Sequence, residues 1–133
     1  MFDGATVARF RRLTSQGSAY SVFKRALRRR DLAAVHAAAA ELQRVPLDDA
    51  FDICLLILEQ QPARYERAAL RWLSRLLAER RHLALRHAEL TAAYLAALAD
   101  PARARWAGVA FAALANDLGL PQLGVHLRSH QSA

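Results

Sequence analysis

Four prolines, Pro46, Pro62, Pro101 and Pro121, cut this chain into blocks of helix length. Proline is accepted in the first turn of a helix and excluded from its interior. The first three therefore each read as a helix opening. The residues between them favour the same reading. Val, Ile and Thr together number 11 of the 133 residues, whereas Ala, Leu and Arg number 70. Strands need the first group and helices favour the second. The expected fold class is all-α: a compact bundle of about six or seven helices, with residues 1–121 as a single domain and 122–133 as a partly flexible C-terminal tail.

Local signals divide the bundle. A first helix is expected from Gly4 to Thr14, with a break at Ser15-Gln16-Gly17. A second runs from Ser18 or Ser21 to Arg30. Asp31 has the short acceptor side chain that caps a third, Leu32 to Arg44. Pro46 opens a fourth, Leu47 to Gln60, whose Asp48, Asp49 and Asp52 sit where the positive end of the helix dipole attracts carboxylates. Pro62 opens a fifth with the clearest two-sided pattern in the chain. Tyr65, Ala69, Trp72 and Leu76 share one side, and Arg64, Arg67, Arg71 and Arg75 fall in a narrow sector nearly opposite.

No Pro or Gly interrupts residues 63–100. One helix of that length would reach roughly 55 Å at 1.5 Å per residue, too long for a small domain, so a turn is expected near Arg80-Arg81-His82. A further helix follows Asp100-Pro101 and stops at Leu118-Gly119-Leu120-Pro121, with glycine placed for the left-handed residue. Its segment Trp106 to Ala115 lacks any polar side chain, so that helix is expected to be central or covered. Beyond it, Leu123, Val125 and Leu127 are the residues by which the tail could dock.

The net charge of +7 lies entirely in residues 1–30. There Arg9, Arg11, Arg12, Lys24, Arg25, Arg28, Arg29 and Arg30 face a single acid, Asp3, and are interleaved with Phe2, Phe10, Tyr20 and Phe23. Cations with aromatics bind phosphates and stack on bases. They also make a plain solvated face, and Arg28-Arg29-Arg30 at a helix end complements the dipole without any ligand. Both readings stand at the level of sequence. The stripe Arg64, Arg67, Arg71, Arg75 is a secondary candidate for an anionic partner and otherwise a wet helix face.

Pro62-Ala63-Arg64 and Pro101-Ala102-Arg103 recur 39 residues apart, each followed by a tryptophan, and Cys54-Leu55-Leu56 matches Ala93-Tyr94-Leu95 in the same register. Over residues 47–118 this resembles the helical pairs of HEAT and armadillo repeats, which implies αα-hairpin units and a role in binding other proteins. The chain as a whole is similar to small Ala/Arg-rich helical proteins of high-GC bacteria, a likeness that carries no functional residues with it.

Several chemistries lack their residues. The five glycines are scattered and the single lysine follows none of them, which excludes a phosphate-cradling loop of the Walker or Rossmann kind. One cysteine, Cys54, permits neither an internal disulfide nor a paired-cysteine zinc site. His82 and His87 are set about 140° apart on a helix. His126 and His130 have chelating spacing but no acid after Asp117. No metal or cofactor is therefore expected. Ser21-Val22-Phe23-Lys24 matches the S-x-x-K pattern of penicillin-binding enzymes, but those enzymes resemble one another in a large α/β fold that this chain cannot build. Glu41, Glu59, Glu66, Glu79 and Glu89 are distributed over four helices, mostly near arginines, and form no converging acid–base pair.

No uncharged segment approaches the ~18 residues of a membrane span, and the N-terminus has no signal-peptide pattern. A soluble, cytoplasmic protein is expected. The functional expectation is a non-enzymatic helical interaction module that self-associates through the apolar surface around Leu55, Tyr94 and Trp106. The alternative is nucleic-acid binding by the basic N-terminal segment.

Overall fold

A computed structural model describes residues 4–132, with side chains from Gln16 onward. The side chains of Phe2, Arg9, Phe10, Arg11 and Arg12 lie outside the described residues. The protein is all-α. The described residues form seven α-helices and one 3-10 turn, with no strand. The helices are α1 (Gly4–Arg28), α2 (Leu32–Ala40), α3 (Leu47–Gln60), α4 (Tyr65–Glu79), α5 (Leu85–Leu98), α6 (Ala104–Leu114) and α7 (Gln122–Ser132). The 3-10 turn, Pro62–Arg64, leads into α4. The chain divides into two compact units, Met1–Val45 and Pro46–Ala133.

The first unit is an αα-hairpin. Its opening helix is continuous for 25 residues, so the break expected at Ser15-Gln16-Gly17 does not occur. A glycine inside a helix costs only about 1 kcal/mol, and Gly17 has open space around it. Gln16 does not cap a helix end. Its amide donates to the Glu41 carbonyl at 3.3 Å and accepts from the Gln43 N–H at 3.1 Å, fastening α1 to the chain leaving α2. That chain has already left the helix, so α2 ends at Ala40 and not at Arg44.

The turn of the hairpin is closed by backbone bonds from Asp31 N–H to Ala26 C=O and from Arg30 N–H to Leu27 C=O. This is the pairing of a Schellman motif, with Arg30 as the left-handed residue at φ 55°. Asp31 then caps α2, accepting from the Ala34 N–H at 3.1 Å. Phe23, Ala26 and Leu27 on α1 are buried, as are Leu32, Val35 and Ala38 on α2.

In the second unit α3 packs on α4, α4 on α5, α5 on α6 and α6 on α7, and α7 returns to α3. The core is aromatic at its centre. Phe51, Trp72 and Phe111 meet with ring centroids 5.2–6.4 Å apart, and Tyr94 carries the row outward to Trp106. The expected turn at Arg80-Arg81-His82 is present and separates α4 from α5. After α6, Leu120 N–H bonds to Ala115 C=O and Gly119 N–H to Asn116 C=O, with Gly119 at φ 72°. This is a second Schellman closure, at the glycine the sequence marks.

Two expectations are corrected here. The C-terminal segment is a helix, α7, with Leu123 and Leu127 buried and Val125 exposed. Its Gln131 amide donates to the Ala104 and Arg105 carbonyls. The approach is close because Gly108 presents no Cβ where the Gln131 amide lies. Conversely, α6 is not covered all round. Ala107, Gly108, Phe111 and Leu114 are buried, but Trp106 and Val109 are 62% and 64% exposed. A run of apolar residues records what a helix tolerates, and two turns of packing bury only one side of it.

Candidate functional site

Helix α4 has more apolar arc than its core uses. At 100° per residue Trp72, Tyr65, Leu76 and Ala69 face inward, and all four are buried. Leu73, Leu77 and Leu70 continue the arc beyond them, with Leu70 61% and Leu77 41% exposed. The neighbouring α5 answers with Ala92 and Ala96, followed by Ala99 just past its end, side chains too short to reach across. The result is a groove of about 520 Å³ between the two helices, lined chiefly by Ala69, Leu70, Leu73, Ala92 and Ala96, with Pro62 at one end. The two walls are pinned at one point, where the buried Tyr65 hydroxyl donates to the Leu95 carbonyl at 2.7 Å.

The arginine stripe of α4 stands on the far side of this groove. Arg64, Arg67 and Arg71 are exposed, while Arg75 is ion-paired with Glu79 one turn on. Behind α4, Cys54 of α3 is buried and within sulfur hydrogen-bond distance of the Ala68 carbonyl. Burial pushes its thiol up to about 12, against the opposing pull of the Arg71 guanidinium. A thiol held neutral in this way is not a nucleophile. Burial likewise raises the Tyr65 phenol, with a smaller contribution from Cys54 beside it.

The basic segment is placed in part. Arg25, Arg28 and Arg29 are exposed, and their spacing sets them on one side of the end of α1 and the turn that follows it, away from the buried Phe23, Ala26 and Leu27. Lys24 and Arg30 are half-buried. Arg9, Arg11 and Arg12 fall outside the described side chains. Of the three residues around which an apolar surface was expected, Leu55 is buried, Tyr94 is half-buried and Trp106 is exposed. The surface is therefore real at Trp106 and absent at Leu55.

One constellation has no counterpart in the sequence reading. Asp48 and Asp49 in the first turn of α3 and His126 on α7 bring one donor atom each within 4.8 Å of one another. Asp49 is fully buried; Asp48 and His126 are half-buried. His126 Nδ1 stands 3.7 Å from Asp52 Oδ2, and its Nε2 is buried without a hydrogen-bond partner. One turn along α7 and two turns along α3 from the His126–Asp52 approach, His130 Nδ1 and Glu59 Oε1 meet at 3.0 Å. The sequence shows the aspartates only as dipole partners because the contact joins residues more than 70 positions apart. The one available signal was the His126/His130 spacing, which puts both imidazoles on one side of α7.

Comparison with protein-family models, with characterised proteins and with solved structures gives no match. Among the described residues no helix is long and apolar enough to cross a membrane.

Proposed function

We propose that the protein is a helical interaction module that self-associates through the α4–α5 groove. One observation carries this reading: Leu70 projects into solvent directly beside a cavity lined by Ala69, Leu73, Ala92 and Ala96. A knob next to its own hole is self-complementary about a two-fold axis, since each copy fills the other. Burying a leucine contributes about 1.5–3 kcal/mol, and the two-fold counts it twice. The second unit as a whole is close to neutral, with ten arginines against nine acids in residues 46–133, and Glu66 is the charged residue that lines the groove.

Sedimentation equilibrium at tens of micromolar tests this reading. The expected result is a dimer for the native chain and a monomer for Leu70→Glu, with unchanged helical circular dichroism in both. A native chain that is strictly monomeric, or a Leu70→Glu variant that still dimerises, overturns it.

A second reading is nucleic-acid binding by the first unit. It is favoured by Arg25, Arg28 and Arg29 sharing one exposed face, in a segment of 45 residues with nine cations and three acids. Phosphate contacts weaken steeply with salt. Titration of labelled single- and double-stranded DNA at two salt concentrations tests it. Binding that is absent at low salt, or unaltered when the three arginines become alanine, removes it.

A further inference from the structure

We propose that Asp48, Asp49 and His126 bind one divalent transition-metal ion of the zinc class. The helix dipole accounts for carboxylates in the first turn of α3. It does not account for the imidazole. His126 arrives from α7 because α7 closes back onto α3, and its Nε2 is left buried with no hydrogen-bond partner. A buried ring nitrogen without a partner is a costly arrangement. A cation held between it and the two carboxylates satisfies it.

The distances suit such an ion. Metal–nitrogen and metal–oxygen bonds to zinc run about 2.0–2.2 Å, so two donors on one ion stand no more than roughly 4.4 Å apart. The three donors are already within 4.8 Å, and side-chain rotation of a few tenths of an ångström closes the site. Two carboxylates and one imidazole match a borderline dication better than the all-oxygen sets of calcium or magnesium.

Asp52 completes the arrangement without touching the ion. Its Oδ2 lies 3.7 Å from Nδ1 of the same ring. At that distance the pair is not hydrogen-bonded, but a carboxylate on that side favours the tautomer protonated at Nδ1 and leaves the Nε2 lone pair for the metal, in the manner of the outer-sphere partners common to metal-bound histidines. Three protein donors leave a coordination position for water.

Titration calorimetry of zinc chloride into the tag-free, chelator-treated full chain tests the site. The expected result is one ion per chain. Affinity falls at least tenfold in His126→Gln and in Asp48→Asn, both at half-buried positions, and is unchanged in His130→Gln. Cobalt(II) as probe gives an intense visible band with the native chain. No saturable zinc binding overturns the proposal. Binding that survives both His126→Gln and Asp48→Asn overturns it in favour of adventitious surface histidines. Should the variants not fold, a native-chain cobalt spectrum identical to that of the aqueous ion overturns it equally.

Discussion

The Trp72 indole N–H donates a 2.8 Å hydrogen bond to the Leu47 carbonyl, in the first turn of α3. The bond is buried and its donor is packed between Phe51 and Phe111. Trp72→Ala removes both the bond and the ring, and is expected to cost about 3–5 kcal/mol. Trp72→Phe keeps most of the apolar contact and gives up the bond, which is worth about 0.5–1.5 kcal/mol. Urea unfolding of the two variants separates packing from hydrogen bonding. Equal losses would show that the bond contributes nothing.

Two glycines have opposite roles, and alanine distinguishes them. Gly17 lies within α1 with nothing near the position of a Cβ, so Gly17→Ala is expected to stabilise by about 0.5–1 kcal/mol. Gly119 sits at φ 72°, where a side chain is strained, and Gly119→Ala is expected to destabilise by about 1 kcal/mol. Thermal midpoints should move in opposite directions. A rise for both would contradict the turn geometry at Gly119.

These two positions also show how far the sequence was legible. Asp31, Pro46 and Gly119 act within four or five residues of themselves: α2 and α3 open where the first two imply, and Gly119 is the left-handed residue of its turn, although α6 itself already ends at Leu114. The same holds for the turn at Arg80-Arg81-His82, forced by length. Gly17 carries the same local sign as Gly119 but is overruled. The bonds from Gln16 to Glu41 and Gln43 reach more than 24 residues along the chain, and nothing in the neighbourhood of Gly17 announces them. Likewise the breadth of the apolar arc on α4 is visible in the sequence. That α5 would oppose it with alanines, and so leave a groove, is a property of how the two helices pack. The Asp48–His126 approach depends on the path of the whole second unit.

On the alkaline side, Cys54 and Tyr65 both hold their protons more tightly when folded than when unfolded. Their contribution to stability is full below the unfolded values and is lost as pH rises above about 9 toward the folded ones. The urea midpoint is expected to fall between pH 8 and pH 10. In the same range Ellman's reagent should label Cys54 only as fast as the chain unfolds. Rapid stoichiometric labelling of the native protein would refute the burial of the thiol.

Asp100 acts in the opposite sense. It accepts from the Ala102 N–H at 3.0 Å and from Arg103 Nε at 2.9 Å, and these bonds hold its carboxyl below its ordinary value. A depressed folded value stabilises above the unfolded pKa and ceases to do so as pH falls through the folded one. Asp100→Asn should therefore weaken the protein at neutral pH and flatten its acid limb. A variant whose stability tracks the native curve at every pH would show the carboxylate to be idle.

The row of rings from Trp72 through Phe51, Phe111 and Tyr94 to Trp106 joins one indole shut inside the second unit to one that is 62% exposed. The molecule thus carries two built-in fluorophores of different colour. Trp72 emits toward the blue until the fold opens, and Trp106 emits toward the red within reach of iodide. A quencher silences the second and leaves the first untouched, so occupation of the surface around α6 and loss of the core can be followed separately in one cuvette.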